Sequence, residues 1–113
     1  MKKLEIIIPH ENLIVVNDIL HKYKVGGMSF YDIKGRGRTK IEPISMGTGQ
    51  YRYVPEFAAY KKVEAIVPDQ VSKPIIDEVL KVLGGSYYSG KLFVYDVAEA
   101  YDLSSKETRE AAI

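Results

Sequence analysis

Cysteine is absent from this chain, and so is any long apolar run. The missing cysteines exclude disulfide bonds and thiolate metal sites, and they leave the cellular compartment open. The apolar run near the N-terminus covers only residues 6–8, between Glu5 and Pro9, which is too short for a secretory signal or a membrane span. Together with the length of 113 residues, these absences predict one domain over residues 1–113 of a soluble, cytoplasmic protein.

The chain also lacks an excess of charge of either sign. Its 16 basic and 15 acidic residues leave a formal net charge of +1, so a nucleic-acid binder with a strongly basic surface is not expected. The two histidines, His10 and His21, share no metal-ligand spacing, and no serine, histidine and acid form a recognisable triad arrangement. We therefore expect neither catalytic residues nor a metal site.

What the chain does contain is an internal repeat. Residues 4–27 align with residues 63–85, so that Glu5 matches Glu64 and Pro9 matches Pro68. Each copy has a run rich in β-branched residues, a proline that ends the predicted strand, a helical stretch and a diglycine that ends the helix. The repeat predicts that the two halves of the chain have the same order of elements.

Each helical stretch has an apolar stripe, and each diglycine is followed by a further strand, over residues 28–34 and 91–97. Pro74 is predicted in the first turn or so of the second helix, where its missing N–H costs little. The stripes consist of Leu13, Val16, Ile19 and Leu20 in the first copy, and Val71, Ile75, Val79 and Leu80 in the second. The resulting order, βαββαβ, predicts an α+β fold with a ferredoxin-like, four-stranded antiparallel sheet and both helices on one face.

The predicted strands are apolar on both sides. Ile6 and Ile8 alternate with Ile7, and Leu92 and Val94 alternate with Phe93. A monomer would then expose a second apolar sheet face, so we expect the chain to associate with copies of itself.

The stretch YDIKGRGRTK, residues 31–40, begins as a strand and becomes a glycine-rich basic turn. Gly35 and Gly37 permit positive φ and a close approach of a ligand to the backbone, and Arg36 and Arg38 add positive charge, which together suit a phosphate. The alternative is a solvated turn, which is the commoner use of such sequences.

A second glycine-rich turn, GGSYYSGK, ends in Gly90 and Lys91. Assembly of subunits would bring this turn near the first, so that Lys91 and Arg38 contact the same anion. Alternatively, Lys91 is an edge lysine that only improves solubility.

The long connection over residues 36–59 shows no periodicity, and a connection of this length in a compact domain is usually functional or disordered. The alternative is a tolerated insertion. Tyr51 and Tyr53 have no evident core to fill and suit contact with a protein partner, where aromatic anchors dominate the binding energy.

Several stretches of the chain together resemble one family, the P-II nitrogen-regulatory signalling proteins. They are MKKLEIII, VGGMS, KGRGR, VEAIVPD, GKLFVYDVAEA and the closing EAAI. The resemblance implies a homotrimer of ferredoxin-like subunits in which residues 36–59 form a T-loop that acts on a transporter or a metabolic enzyme. It also implies ATP or ADP as an effector in the clefts between subunits, often with 2-oxoglutarate beside it.

Carried over by position, the resemblance implies that Ser29 lies near the base and that strand residues around Ile66 border the cleft. The implied contacts to the nucleotide and its phosphates are Gly35, Arg36, Gly37, Arg38, Gly90 and Lys91.

The chain departs from the family pattern in several places. Asp102 and Ser104 stand where the family has two arginines for the phosphates of a neighbouring subunit's nucleotide, and Lys106 or Arg109 would have to compensate. Tyr88 and Ser89 replace a glycine and an aspartate of the second turn.

These departures favour weak binding of an adenine nucleotide or a preference for AMP. Thr39, where the family has a glutamine that helps to hold Mg²⁺, argues against a 2-oxoglutarate and magnesium site. The alternative hypotheses are a diverged relative that binds another small anion or acts only as an interaction module, and, with little support, an enzyme. Modification of Tyr51 is not expected.

Overall fold

The computed structural model describes residues 1–37, 44–46, 51–53, 56–85 and 90–113. Two helices and a four-stranded sheet form the body of the domain, and a two-stranded hairpin lies within the long connection. The elements are β1 (Lys2–Ile8), α1 (Leu13–Lys22), β2 (Ser29–Gly35), β3 (Ile44–Met46), β4 (Tyr51–Tyr53), β5 (Ala58–Val67), α2 (Asp69–Leu83) and β6 (Lys91–Asp96).

The main sheet has the strand order β2-β5-β1-β6, and every neighbouring pair is antiparallel. Both helices pack on the same face, because one core joins residues from the inner strands and from both helices. Its members are Leu4, Ile6, Ile8, Val16, Ile19, Leu20, Val63, Ala65, Val67, Ile75 and Val79. The predicted βαββαβ order and ferredoxin-like sheet are confirmed.

The two halves of the repeat end their helices differently. Helix α1 ends at Lys22, before its diglycine, and the chain turns at Lys24 with φ 58°, where Val25 N–H donates to Leu20 O at 3.0 Å. Helix α2 runs on to Leu83, and Gly84 follows directly. A Cβ on Gly84 would lie 2.1 Å from Leu80 O, so only glycine fits there. The diglycine therefore ends the helix in the second half alone.

Two predictions for α2 were wrong. Leu80 was placed in the buried stripe, but it is 56% exposed, because the stripe that meets the sheet passes through Ser72, Ile75 and Val79 instead. Pro74 is the sixth residue of the helix and not in its first turn, so its missing N–H removes one helical hydrogen bond.

The long connection, in which the sequence shows no periodicity, contains two short strands. Ile44 pairs with Tyr53 and Met46 with Tyr51, so β3 and β4 form a short antiparallel ladder. The side chains of Tyr51 and Tyr53 lie outside the described part of the structure, and their role as partner contacts stays a prediction.

The sheet face opposite the helices is not the apolar surface that the alternating strands predicted. Glu5, Lys62 and Glu64 lie on it beside Ile7, and the aromatic side chains Tyr31, Phe93 and Tyr95 are about half exposed around them. We call this surface the open face.

Candidate ligand-binding site

The first predicted phosphate turn follows the end of β2. Gly35 is the last residue of that strand, and Arg36 and Gly37 come directly after it. The Arg36 guanidinium donates to Glu56 Oε1 at 3.0 Å, and both side chains are 66% exposed. Such an exposed pair is weak, so an anion could replace Glu56 at little cost. Sequence reasoning missed Glu56, which lies twenty residues away, and Arg38 lies outside the described residues.

Gly35 and Gly37 do not take the positive φ that was expected of them. Nothing lies within 4 Å of a Cβ built on either residue, so the space above this backbone is open. The two glycines therefore leave room for a ligand to approach the backbone closely, and they are not needed for a left-handed backbone conformation.

The second predicted turn lies at the other edge of the sheet, where Gly90 leads into β6. A Cβ on Gly90 would lie 2.8 Å from Ile7 O, so the strands approach too closely there for a larger residue. Lys91 is exposed and pairs in register with Ile7. The packing of β6 against β1 alone thus requires glycine at position 90, independently of any ligand.

The two turns do not converge within one chain. Strands β2 and β6 are the opposite edges of the sheet, separated by three strand spacings, or about 14 Å. A single phosphate cannot contact both edges. Whether a second chain brings them together, as the sequence predicted, stays a prediction.

Ser29 lies at the start of β2, in a cleft of about 630 Å³ that we call the Ser29 cleft. Ile66 lines the same cleft, so the structure brings Ser29, which was predicted near the base, together with Ile66, which was predicted to border the cleft. The remaining lining residues are Lys3, Gly27, Met28, Glu64, Ala65, Ala112 and Ile113. Sequence reasoning missed the C-terminal residues, because nothing local signals that the end of the chain returns to β2.

A smaller cavity of about 170 Å³, which we call the Leu80 groove, lies beside the second turn. Leu80, which is 56% exposed, is one of its lining residues. The lining residues are Ile6, Ile7, Ile8, Pro9, Asn12, Val79, Leu80, Leu83, Gly84, Gly85, Gly90, Lys91 and Leu92.

Asp102, which stands at a position of a family arginine, has a structural role. Its Oδ1 accepts the backbone N–H groups of Ser104 at 2.9 Å and Ser105 at 2.8 Å. These hydrogen bonds, Ser105 first, lower the pKa of Asp102 and keep it ionised. Tyr101 and Thr108 form an antiparallel bridge around this turn, and we call residues 101–108 the C-terminal hairpin.

The path of the chain end is also resolved. Lys106 and Arg109 both have positive φ, 64° and 55°, and Arg109 N–H donates to Ala100 O at 2.8 Å. Both residues are exposed. They lie in and after the hairpin, and their role as compensating cations stays a prediction.

The open face is held together by two ion pairs. Glu5 and Glu64, the matched glutamates of the repeat, lie directly opposite each other in the sheet. Lys62 Nζ lies 2.5 Å from Glu5, which is buried at 6% exposure, and Lys3 Nζ lies 3.3 Å from Glu64. The lysines offset the repulsion of the facing carboxylates.

Tyrosines complete this network. The Tyr31 hydroxyl donates to Glu64 at 3.3 Å, and Tyr95 donates to Glu5. The hydrogen bonds from Lys62 and then Tyr95 lower the pKa of Glu5, and the same contact with Glu5 raises the pKa of Tyr95. The network therefore stabilises the charged form of Glu5 at neutral pH.

The described residues contain no group of three or more metal-ligating side chains, and no helix among them is long and apolar enough to cross a membrane.

A family model for nitrogen regulatory protein P-II matches residues 1–107. The chain belongs to the P-II family. It is 32% identical to nitrogen regulatory protein P-II 1 of Escherichia coli K12 over 117 aligned positions, which cover all of both chains. The P-II proteins of Klebsiella oxytoca and Haemophilus influenzae are also 32% identical, again over the whole of each chain.

A solved structure of the GlnK–ATP complex of B. subtilis has the same fold, with a TM-score of 0.74 and 21% sequence identity. The match covers 99% of this chain and 96% of the other. The family resemblance and the α+β fold predicted from the sequence are thus confirmed. P-II proteins are signal-transduction regulators and not enzymes, which agrees with the expectation for this chain.

Proposed function

We propose that this P-II protein is a homotrimeric regulator that binds an adenine nucleotide in clefts between its subunits. The observation that carries the proposal is that the Gly35–Gly37 turn and the Gly90–Lys91 turn lie at opposite edges of one sheet. Each chain then presents both turns outward, where adjoining copies supply the rest of a cleft. The partly exposed aromatic residues of the open face support association of copies. The B. subtilis GlnK relative was solved with ATP, which supports the class of ligand.

Within this cleft, Ser29 and Ile66 border the base, and the open backbone at Gly35 and Gly37 faces the sugar and phosphates. Lys91, Arg36 and Arg38 supply positive charge. Arg36 exchanges its pair with Glu56 for a pair with the ligand, so binding is linked to the start of the connection at residues 36–59.

The nucleotide is bound weakly or with fewer phosphates than ATP. Hydrogen bonds to charged groups contribute roughly 1.5–3 kcal/mol each, so the two missing family arginines correspond to a loss of about 10²- to 10⁴-fold in affinity. Asp102 adds a negative charge that its turn holds in place. Both effects act most strongly on the β- and γ-phosphates, which favours AMP.

Titration calorimetry with AMP, ADP and ATP tests this function. Gly35→Ala is the sharpest variant, because its Cβ meets nothing in the free chain and reduces binding only if a ligand comes close. Lys91→Ala removes one cation, and Lys73→Ala on α2, whose side chain is exposed and paired with Asp77, is the matched control. Absence of binding heat from all three nucleotides at millimolar concentration contradicts the proposal.

The alternative is a P-II trimer that binds another small anion or acts only as an interaction module. The fixed carboxylate of Asp102 favours it, because an anionic group at this position opposes any polyphosphate. A thermal-shift screen separates the two, since a bound ligand raises the melting temperature and a pure interaction module responds to none.

The connection at residues 36–59 acts as the T-loop that contacts a protein partner, a transporter or a metabolic enzyme, with Tyr51 and Tyr53 as anchors. Nucleic acid is not a partner, and the site of action is the cytoplasm. Thr39 lies outside the described residues, and no site for 2-oxoglutarate or Mg²⁺ is proposed. A Tyr51→Ala, Tyr53→Ala variant that binds nucleotide normally and captures its partner as well as the unaltered protein would contradict the anchor role.

A further inference from the structure

The internal repeat extends to side chains of the sheet and not only to the order of the elements. The sequence KKLE at residues 2–5 is matched by KKVE at residues 61–64, and YD at residues 31–32 is matched by YD at residues 95–96. These motifs lie on β1, β5, β2 and β6 in turn, so each strand of the main sheet carries one. The two halves of the chain thus bring equivalent side chains to the sheet.

Contacts among these motifs come in matched pairs, and both members of each pair join the two halves of the chain. Glu5 and Glu64 lie directly opposite each other, and an approximate two-fold axis passes between them. The matched contacts about this axis are Lys3 with Glu64 and Lys62 with Glu5, Tyr31 with Glu64 and Tyr95 with Glu5, Lys62 with Tyr31 and Lys3 with Tyr95, and Lys61 with Asp32 and Lys2 with Asp96.

This axis has a consequence for association through the open face. Half a turn of one copy about the axis replaces each lysine, glutamate and tyrosine of the motifs by its match, so a neighbour meets the same pattern of charge in either orientation. The two ends of a copy nevertheless differ, because the long connection leaves β2 after Gly35 and enters β5 at Ala58, at one end of the sheet. Copies that all have the same orientation therefore need a residue that breaks the two-fold.

Phe93 breaks the two-fold beside the axis. It lies next to Glu5 in β6, whereas the matching position next to Glu64 in β2 is Ser29. A half-exposed phenylalanine ring at one edge of the sheet is thus matched by a small hydroxyl side chain at the other edge. Lys91 also differs from its match, a glycine, but an edge lysine keeps its ammonium group in water in either orientation.

The sizes of these two side chains distinguish the orientations. In the proposed function, β2 of one copy adjoins β6 of the next, because this contact brings the two glycine-rich turns together. Phe93 then meets Ser29 of its neighbour, a large side chain against a small one. With one copy inverted, Phe93 meets a second Phe93 and Ser29 meets a second Ser29, which overfills one contact and leaves a void in the other.

We propose that Phe93 determines the orientation of neighbouring copies, so that every copy of the assembly presents residues 36–59 on the same side. The proposal rests on the association of copies in the proposed function, and it adds the residue that selects one arrangement over its inverted form. A protein partner then meets all the connections of one assembly on a single surface, where several weak contacts act together.

The absence of cysteine allows one spin label per chain. A nitroxide on Lys73→Cys, where the native side chain is 76% exposed on α2, is measured by double electron–electron resonance. Three copies related by a three-fold axis give one label-to-label distance, whereas an inverted copy adds a second distance. We expect one distance in the labelled protein and in its Phe93→Leu variant, and a second distance of comparable amplitude in its Phe93→Ser variant.

Tyr95→Ser is the matched control, because Tyr95 is 48% exposed on the same strand but its loss makes the two halves less alike. We expect one distance from it, although association weakens. Ser29→Phe is the second test, since it makes the halves alike without removing an aromatic side chain, and a second distance is expected.

A single distance from Phe93→Ser, or from Ser29→Phe where Phe93→Ser no longer associates, overturns the orientation role and leaves the trimer intact. A second distance in the labelled protein itself, or in Tyr95→Ser, overturns it as well. A monomer by light scattering of the unaltered protein overturns both the orientation role and the proposed function.

Discussion

The two faces of the same sheet are built on different principles. On the helix side, Leu4, Ile6 and Val63 are at most 1% exposed and pack into one apolar core. On the open face, the residues between them include Glu5, which is also buried but is paired with Lys62. Neighbouring positions of β1 are thus buried for different reasons. The burial of Leu4 and Ile6 is favoured by the hydrophobic effect and by packing, whereas the burial of Glu5 is tolerated because its charge is paired.

This difference separates folding from association. The helix side needs only the chain itself to exclude water, so it supplies the stability of the domain. The open face pairs its two glutamates with lysines of the same chain but leaves Tyr31, Phe93 and Tyr95 about half exposed. In the proposed assembly, its aromatic residues would provide the apolar area for contact between copies, and its ion pairs would limit which surfaces fit against it.

The largest effect on stability is expected from shortening a side chain in the apolar core on the helix side of the sheet. Leu4→Ala removes a fully buried side chain and leaves a cavity, so we expect the free energy of unfolding to fall by about 2–5 kcal/mol. Urea unfolding measures it. Val94→Ala is the control, because Val94 pairs directly with Leu4 but is 45% exposed, and a comparable loss from both variants would contradict the comparison.

A smaller effect is expected from breaking the charged network. Glu5→Gln leaves Lys62 without its carboxylate in a buried position, so unfolding becomes easier, though less than in Leu4→Ala. Asp96→Asn breaks the pair with Lys2 between β1 and β6, where Asp96 is largely exposed, and should change little. Equal unfolding curves for Glu5→Gln and the unaltered protein would show that the network does not stabilise the fold.

The same network predicts a pH dependence. Because the contacts with Lys62 and Tyr95 lower the pKa of Glu5, its contribution is complete above the ordinary value of 4.5. It is then lost as the pH falls through the lower pKa of the folded state. The difference in unfolding free energy between the unaltered protein and Glu5→Gln should therefore shrink below pH 4.5 and stay constant above it. A difference that grows on acidification would reverse the assigned sign.

The smallest effect on folding is expected at the aromatic part of the open face. Phe93→Ser alters a half-exposed side chain, so the unfolding free energy of the dissociated chain should change by about 0.5 kcal/mol or less. Association should weaken instead, which light scattering over a dilution series detects. Unchanged association together with a large loss of stability would mean that Phe93 belongs to the folding core.

Much of the fold could be predicted from local patterns. The repeat located both helices and the four strands of the main sheet, because alternation and helical periodicity depend on neighbours in sequence. It missed the first half of β5, which begins at Ala58 and not at residue 63. Leu80 was wrongly placed in the core. Its neighbours along the helix include residues of the buried face, so periodicity alone does not decide whether Leu80 or Ser72 faces the sheet. Only the angle at which α2 meets the sheet decides that Ser72, and not Leu80, faces the core.

The candidate site was less predictable. Glycine and basic residues identified both turns, but the pair of Arg36 with Glu56 joins residues near the two ends of the long connection. Asp102 was interpreted as a lost arginine, whereas its Oδ1 organises the C-terminal hairpin. Such contacts depend on where the backbone returns, which no local pattern encodes.

By itself, the sequence determined the family, the order of elements and the two glycine-rich turns, because these follow from residue types at short spacings. The tertiary structure alone decided that Glu5 faces Glu64, that the turns lie at opposite sheet edges and that Leu103 is exposed. The physical reason is strand register and strand order. These bring together residues from distant parts of the chain, and they are selected by the packing of the whole core and not by any one segment.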